Sequence, residues 1–175
     1  MGTALLVTGV PGAGKTTLIR TVVAALAGRA GGFLTEEIRE GDRRVGFRVC
    51  TLDGATAVLA HVKAVRGPQV GRYQVDVAAF EAVGVAALSA AIRDADLVVV
   101  DEIGKMELCS PRFVEVLEAA LASPKPILGT ILQAPHPWLD GLKRRNGVEI
   151  YRLCERNRSD LTDALLAHLQ TVLRT

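Results

Sequence analysis

Apolar and polar positions follow one another along this chain in a pattern that predicts strands and helices in turn. Continuous apolar runs at residues 3–8, 96–101 and 126–131 are each short enough for a strand. Residues 148–153 alternate between apolar and polar, which predicts a strand nearer the edge of the sheet. Continuous Val, Leu and Ile runs are typical of parallel strands covered on both faces, so the chain predicts a mostly parallel sheet.

Helical periodicity appears between these strands. Ser110 is a predicted N-cap and Pro111 a predicted first helical residue. The predicted helices span residues 16–28, 78–93, 111–122 and 159–173. In the second of them, the apolar face is predicted to comprise Phe80, Val83, Ala87 and Ala91. Strands that alternate with helices predict an α/β fold in which the sheet is sandwiched by helices.

Residues 31–60 break the alternation. Two strand-like segments, 32–38 and 45–50, flank the turn-like residues 41–44, and a second turn signal at 53–54 precedes residues 55–60. This segment predicts a β-meander inserted after the first helix. Because no linker, low-complexity tract or internal repeat interrupts the chain, residues 1–175 are predicted to form a single domain.

Composition narrows the function classes without choosing among them. The 175 residues are 49% hydrophobic and 23% charged, which excludes wholesale disorder. A formal net charge of +2 gives no global attraction to nucleic acid or anionic membrane, and no apolar run approaches the ~20 residues of a membrane span. The three cysteines, Cys50, Cys109 and Cys154, lack disulfide or zinc spacing, which suits a reducing cytoplasm. Aromatic residues make up 4%, too few for a base-stacking platform.

A phosphate-binding loop is the strongest motif. The sequence GVPGAGKT matches the pattern GxxxxGK[ST] and lies between a predicted strand and a predicted helix, which is the required context. Its glycines let backbone N–H groups surround phosphates, Lys15 is placed to reach the β- and γ-phosphates, and the Thr16 hydroxyl to bind Mg²⁺. The residues predicted to bind nucleotide here are Gly9, Val10, Pro11, Gly12, Ala13, Gly14, Lys15, Thr16 and Thr17.

A second motif, the Walker B strand, ends in two carboxylates. This strand is predicted to lie beside the first one, so that Asp101 joins Thr16 in holding Mg²⁺. Glu102 is predicted to orient or deprotonate the attacking water, and a second carboxylate here favours hydrolysis over transfer. Together the two motifs predict a P-loop NTPase fold of the RecA or kinase type. Nucleotide contacts are predicted along Val98, Val99, Val100, Asp101, Glu102, Ile103, Gly104 and Lys105.

The residues that follow make a family resemblance visible. The octapeptide Asp101-Glu102-Ile103-Gly104-Lys105-Met106-Glu107-Leu108, beside a P-loop, closely resembles the signature of the small nucleoside-triphosphatase family of thermophilic prokaryotes, which has a cancer-related human relative. The resemblance extends over nearly the whole chain. It implies slow, Mg²⁺-dependent hydrolysis of ATP, GTP and other nucleoside triphosphates to diphosphate and phosphate, with broad base tolerance.

Two further candidates enter with this resemblance. Lys105 is a candidate for a catalytic cation that offsets charge on the transferred phosphoryl group, or it caps or pairs on a solvated loop. Asn157, in a segment that looks like the family's Asn-Arg element, is a candidate nucleotide contact. Ligands of open α/β sheets lie beyond the carboxyl ends of strands, although an ordinary strand–helix connection explains the segment equally well.

Several features stay open at this point. Residues 132–142 contain no Lys or Arg where the family pattern has a basic stretch, and Trp138 there either covers a base or packs. Glu36 is either part of a water-mediated Mg²⁺ shell or exposed on a hairpin. The basic runs 43–44 and 143–145 are read as solvated surface in preference to an RNA or partner footprint. The three histidines, His61, His136 and His168, show no metal-ligand spacing.

Two other function classes compete with hydrolysis. A nucleotide or nucleoside kinase has a similar size and fold, but kinases need an acceptor pocket and usually an Arg-rich lid, which residues 132–142 do not provide. A slow nucleotide-dependent switch or RNA-associated module is the third possibility. The expected partners are nucleoside triphosphates, with no membrane and no obligatory nucleic acid, and a monomer is expected because no long amphipathic seam is present.

Overall fold

Nine strands form one continuous sheet in the computed structural model, which describes residues 2–26 and 29–173. The strands are β1 (Ala4–Thr8), β2 (Ala30–Glu40), β3 (Arg43–Thr51), β4 (Thr56–His61), β5 (Gln69–Val70), β6 (Tyr73–Val75), β7 (Leu97–Ile103), β8 (Ile127–Ile131) and β9 (Val148–Arg152). Their order across the sheet is β5-β6-β4-β3-β2-β7-β8-β1-β9. Five of them, β2, β7, β8, β1 and β9, pair in parallel.

Helices cover both faces of this sheet. They are α1 (Lys15–Ala25), α2 (Val77–Phe80), α3 (Ala86–Asp94), α4 (Pro111–Ala122), α5 (Pro137–Lys143) and α6 (Arg158–Leu173). A π-helical turn, Glu81–Val85, joins α2 to α3, and short 3₁₀ turns stand at Glu107–Cys109 and Glu155–Asn157. The predicted α/β architecture with a mostly parallel sheet is therefore confirmed, and β9 lies at the predicted edge.

The strand order corrects one prediction. The strand that ends in the two carboxylates, β7, does not lie beside β1, because β8 is inserted between them. Val7 is level with Thr130, and Gly129 is level with Val100, so all three strands end at the same edge of the sheet. Apolar runs reveal strands, but the crossover connections decide their order, and these leave no periodic signal in the sequence.

The predicted meander exists, but it is more than an insertion. Strand β2 begins in parallel pairing with β7, from Ala30 opposite Leu97 to Phe33 opposite Val100. Its second half continues beyond the end of that pairing and forms an antiparallel hairpin with β3. The meander therefore extends the main sheet. The sequence missed β5 and β6 because strands of two and three residues carry too short a pattern.

All four predicted helices are present, and two of them differ from the prediction in their end or in their buried face. Helix α1 ends at Ala25, and residues 27 and 28 of its predicted span lie outside the described residues. In the predicted helix 78–93 the π-helical turn adds a residue and rotates the buried face. Val83 and Ala87 are consequently only partly buried, and the buried residues are Phe80, Gly84, Val85, Leu88 and Ala91.

Two other helices begin and pack as their patterns predict. Helix α4 starts at Pro111, and the Ser110 side chain caps it by accepting a hydrogen bond from the Phe113 N–H at 2.9 Å. Helix α6 buries one stripe of leucines at helical spacing, Leu161, Leu165 and Leu169. The sequence missed α5, a helix of seven residues.

Two apolar cores lie on the two faces of the sheet. One packs α2, α3 and α4 around three phenylalanine rings, with Phe80 centred 5.4 Å from Phe33 and 5.5 Å from Phe113. The other packs α1 and α6 against the opposite face. Burial on both faces explains the continuous apolar runs and leaves polar residues at the carboxyl ends of the parallel strands. Within residues 2–26 and 29–173, no helix combines the length and apolarity needed to cross a membrane.

Candidate functional site

The predicted phosphate loop connects β1 to α1 at the carboxyl edge of the sheet. Gly12 and Gly14 adopt left-handed backbone angles, with φ of +79° and +86°, a region that favours glycine over residues with a Cβ. Gly14 also serves as the N-cap position of α1, so the loop leads directly into the N–H groups of the first helical turn. A helix N-terminus reached through a glycine-rich loop is an anion-binding arrangement.

Lys15 and one arginine fasten this loop. The Lys15 ammonium donates hydrogen bonds to the carbonyls of Gly9 at 3.0 Å and Val10 at 3.3 Å, so its charge stands over the loop. From the start of α6, Arg158 donates to the Ala13 carbonyl at 2.6 Å. A Cβ on Gly14 would come within 2.7 Å of that guanidinium. The backbone angle of Gly14 favours glycine, whereas the Arg158 side chain could shift to admit a Cβ.

Asp101 is the centre at which four elements meet. Its carboxylate is 1% exposed and accepts hydrogen bonds from the Thr16 hydroxyl at 2.7 Å, from the Thr35 N–H at 3.3 Å and from the Thr130 hydroxyl. Burial raises the pKa of Asp101, while these donors and the charge of Lys15 act in the opposite direction. The predicted metal ligands Thr16 and Asp101 are thus in direct contact although 85 positions separate them.

Sequence reasoning gave Thr35 and Thr130 no role at Asp101. Thr130 is fully buried near the end of β8, and Thr35 lies where β2 runs on past its parallel pairing. Both residues occupy positions close to the carboxyl edge of the sheet. That position is the signal that could have found them, once the strand order is known.

The chemistry of the Thr16–Asp101 pair suits Mg²⁺. Magnesium prefers oxygen ligands and is commonly bound by one or two carboxylates together with substrate phosphates. Here one hydroxyl and one carboxylate, with oxygens 2.7 Å apart, stand at the first turn of the helix that follows the phosphate loop. No cluster of three or more His, Cys, Asp or Glu side chains able to hold a metal occurs in the described part of the chain.

Glu102 follows Asp101 through a cis peptide bond and lines the cleft. Burial raises the pKa of the Glu102 carboxyl, the charge of Lys15 lowers it, and Asp101 raises it further. Gly104 lies against this carboxyl, since an added Cβ would stand 2.9 Å from a Glu102 oxygen and 3.1 Å from a Glu107 oxygen. The absence of a Cβ at Gly104 therefore leaves room for the carboxyl groups of both Glu102 and Glu107.

Glu107 is a buried acid to which the sequence assigned no role. Burial raises its pKa well above the usual value, and the nearby charge of Glu102 adds to this. An acid whose folded-state pKa is raised contributes stability below its unfolded pKa of about 4.5 and loses it as the pH rises toward the folded value.

Replacing Glu107 by Gln should therefore raise the melting temperature at pH 8 and leave it nearly unchanged at pH 4. Thermal unfolding followed by circular dichroism across this range measures the effect. Glu118→Gln is the matched control, because Arg145 lowers the pKa of Glu118, so this variant should gain no stability at pH 8. An equal rise in melting temperature at pH 8 in both variants would contradict the raised pKa of Glu107.

The side chains of Val98, Val99, Val100 and Ile103 are 0% exposed and belong to the two cores, where they support the strand. Contact of these β7 residues with the nucleotide stays a prediction. Lys105 is exposed and does not line the cleft. Its role as a catalytic cation stays a prediction.

Asn157, the candidate nucleotide contact in the loop after β9, makes hydrogen bonds within its own loop. Asn157 accepts a hydrogen bond from the Cys154 N–H and donates one to the Arg152 carbonyl, both at 2.8 Å. Contact of Asn157 with the nucleotide stays a prediction, and Arg158 is the residue of this segment that reaches the phosphate loop. Trp138 packs partly against the core under Arg145 and does not line the cleft, which favours its packing role.

The cleft itself has a volume of about 700 Å³ and extends beyond the predicted site. One side is the phosphate loop with Glu102, and another is the segment 132–135. The remaining wall comes from the β2–β3 hairpin and consists of Thr35, Glu36, Glu37, Arg44 and Phe47. Glu36 pairs with Arg20 and Arg48, and its place in a Mg²⁺ shell stays a prediction. Arg44 faces the cleft with its side chain 38% exposed, and the reading of residues 43–44 as solvated surface stays a prediction.

Comparison with known proteins agrees with this geometry. A family model described as NTPase matches residues 4–166. Nucleoside-triphosphatase THEP1 of Thermotoga maritima is 44% identical over 95% of this chain and 95% of its own length. The crystal structure of THEP1 from Aquifex aeolicus is similar with a TM-score of 0.87 and 33% identity, covering 95% of this chain and 98% of the other. The solution structure of a human cancer-related nucleoside triphosphatase gives a TM-score of 0.77 at 33% identity and covers 98% of each chain.

Proposed function

Because the chain belongs to the nucleoside-triphosphatase family, we propose that it hydrolyses nucleoside triphosphates to diphosphate and phosphate. The proposal includes dependence on Mg²⁺, broad base tolerance and activation of water by Glu102. One observation carries it: Thr16 lines the cleft together with the phosphate loop and Glu102, and its hydroxyl is 2.7 Å from the carboxylate of the buried Asp101.

In this proposal, different residues bind the phosphates, hold the metal ion and activate the water. The N–H groups of the loop and the Lys15 ammonium hold the β- and γ-phosphates, while Thr16 and Asp101 would hold the metal ion. When bound, Mg²⁺ supplies positive charge to the phosphate oxygens. The oxygen of a water held by Glu102 forms a bond to the γ-phosphorus as the bond to the β-phosphate oxygen breaks, and Glu102 takes the water's proton.

Base tolerance is proposed because the groups assigned to binding all address the triphosphate. These groups are the backbone N–H groups of the loop, the Lys15 ammonium and the two metal ligands. They recognise charge, and none of them is assigned a contact with the base. The single nine-stranded sheet supports the further proposal that residues 1–175 act as one P-loop domain. The near-neutral charge supports activity without nucleic acid, and the cysteine spacing supports a cytoplasmic location. The lack of a long amphipathic seam in the sequence supports a monomer.

Phosphate release from ATP, GTP, CTP and UTP, with Mg²⁺ and with EDTA, tests the function. We expect all four nucleotides to be hydrolysed with kcat/KM within about tenfold of one another, because base contacts differ by less than about 1.4 kcal/mol. EDTA should abolish release. Hydrolysis of a single nucleotide would contradict base tolerance, release in EDTA would contradict the metal, and no release at all would contradict the function.

A further inference from the structure

The aromatic side chains of this chain all have contacts within the fold. They are four Phe, two Tyr and one Trp, and each lies in the part of the chain that the structure describes. Phe33, Phe80 and Phe113 are fully buried, and Tyr73 is buried in the same core. These rings matter for substrate choice because stacking on an aromatic ring strengthens the binding of a base by about 5-fold to 140-fold.

Two of the remaining rings lie outside the cleft. Trp138 packs partly against the core, and the guanidinium carbon of Arg145 lies 5.9 Å from the centre of its ring. Tyr151 packs against the other core, and its hydroxyl donates a hydrogen bond to Glu149 at 2.7 Å. Neither Trp138 nor Tyr151 lines the cleft that contains the phosphate loop, so both rings have a structural role.

Phe47 does line the cleft, and two side chains already contact its ring. The guanidinium carbon of Arg44 lies 5.1 Å from the centre of this ring, and the Tyr73 ring is centred 5.2 Å from it. Arg44 is held over the ring by hydrogen bonds to the Tyr73 hydroxyl at 3.0 Å and to Glu37 at 2.9 Å. A base that stacked on this face would have to displace a guanidinium that three side chains hold.

The polar side chains after β9 are also used by the protein itself. Asn157 accepts a hydrogen bond from the Cys154 N–H and donates one to the Arg152 carbonyl, both at 2.8 Å. Arg158 donates to the Ala13 carbonyl at 2.6 Å. These contacts with backbone groups explain both side chains through the structure of two loops, and no contact with a base is needed to explain them.

The groups assigned to the phosphates form a complete set without a nucleoside. The first turn of α1 supplies N–H groups, Lys15 supplies a positive charge over the loop, and Thr16 with Asp101 supplies the metal ligands. Glu102 lines the same cleft. Each of these groups interacts with phosphate oxygens, with Mg²⁺ or with water, and all three are the same for any linear triphosphate.

We propose that the site accepts inorganic tripolyphosphate, the linear chain of three phosphates without a nucleoside, as a second class of substrate. The inference rests on the proposed function, because it uses the same site and the same water. The water oxygen forms a bond to a terminal phosphorus as the bond from that phosphorus to its bridging oxygen breaks, and the electron pair of the broken bond leaves with pyrophosphate. Glu102 takes the proton of the water, so the products are phosphate and pyrophosphate.

Hydrolysis of tripolyphosphate and of ATP by the same protein, at pH 8 with Mg²⁺ in excess, tests the proposal. We expect equal amounts of phosphate and pyrophosphate from tripolyphosphate, measured by ion chromatography. The kcat/KM for tripolyphosphate should lie within about tenfold of the value for ATP, because no stacking contact is lost with the nucleoside.

Variants link this activity to the cleft. Lys15→Ala and Glu102→Gln should lower phosphate release from tripolyphosphate by the same factor as release from ATP, to within about threefold. Lys63→Ala is the control for the loss of a lysine, because Lys63 pairs with Glu40 on the exposed surface, and it should leave both activities unaltered. Arg156→Ala removes an exposed cation of the segment after β9 and should change the ratio of the two kcat/KM values by less than about twofold.

A binding experiment separates the two halves of the nucleotide. In the Glu102→Gln protein, where hydrolysis is suppressed, tripolyphosphate and adenosine are each titrated against labelled Mg-ATP. Tripolyphosphate should displace the label at a concentration within about tenfold of that of unlabelled ATP, whereas adenosine at about 1 mM should displace none of it.

Failure of the inference and failure of the proposed function give different results. If ATP is hydrolysed and the kcat/KM for tripolyphosphate is more than about tenfold lower, the inference is refuted and the proposed function stands. Displacement of ATP by adenosine, or loss of ATP hydrolysis alone in Arg156→Ala, would also refute the inference, because each would show that the nucleoside is bound. Release from tripolyphosphate that persists in Lys15→Ala would assign this activity to another site or to a contaminating phosphatase and overturn the inference. Release of no phosphate from either substrate would refute the proposed function, and the inference with it.

Discussion

Glu102→Gln should lower kcat for phosphate release by about 10²- to 10⁴-fold, the contribution of a positioned general base. The amide keeps the size of the side chain but cannot accept the proton of the attacking water. Because the proposed mechanism uses Glu102 to activate water and not to hold phosphate, the affinity for Mg-ATP should change little. Single-turnover phosphate release and equilibrium binding of labelled ATP measure the two quantities separately.

The comparison variant for this change is Glu36→Gln. Glu36 also lines the cleft, but its carboxylate is engaged by Arg20 and Arg48. Its replacement should leave kcat within the same order of magnitude, so the pair distinguishes loss of a base from loss of any negative charge in the cleft. Unchanged turnover in Glu102→Gln would contradict the role of Glu102 as the general base. A parallel loss of ATP binding would indicate that Glu102 contributes to binding and not to catalysis.

Lys15→Ala should lose both binding and turnover. Lys15 supplies the positive side chain of the phosphate loop, and truncating one partner of a close charge pair costs about 2–5 kcal/mol. This corresponds to binding of Mg-ATP weakened by about 30-fold to several thousand-fold. Isothermal titration of Mg-ATP into the variant gives the affinity, and the melting temperature shows that the loop still folds.

Lys63→Ala controls for the loss of one positive charge. Lys63 lies far from the loop in the meander and pairs with Glu40, with both side chains exposed. Its replacement should leave affinity and turnover unaltered. Retained tight binding in Lys15→Ala would count against the phosphate-loop assignment, because the backbone N–H groups alone would then account for the affinity.

The contrast between Asn157 and Arg158 shows where sequence reasoning reached its limit at this site. A motif resemblance selected Asn157, whose amide closes its own loop, whereas Arg158 donates across 145 positions to the Ala13 carbonyl. Arg44 gives a second case, since its sequence context predicts a solvated turn. Its hydrogen bond to Tyr73 joins β3 to β6 across 29 positions, which no local pattern in the sequence predicts.

Local signals in the sequence were sufficient for most of the longer elements and for the phosphate loop. Apolar runs predicted β1, β7 and β8, alternation predicted β9, the Ser110 cap predicted the start of α4, and the spacing of GVPGAGKT predicted the loop. Each of these depends on residues close in the chain, where backbone geometry ties spacing directly to structure.

Only the tertiary structure decided how those elements meet. It inserted β8 between β1 and β7, brought Thr35 and Thr130 to Asp101, and made the hairpin with Arg44 and Phe47 one wall of the cleft. These contacts join distant parts of the chain through strand order and crossover connections, which no periodicity records. The sequence alone therefore determined a phosphate-binding α/β protein, and the packing determined which distant residues meet at Asp101 and line the cleft.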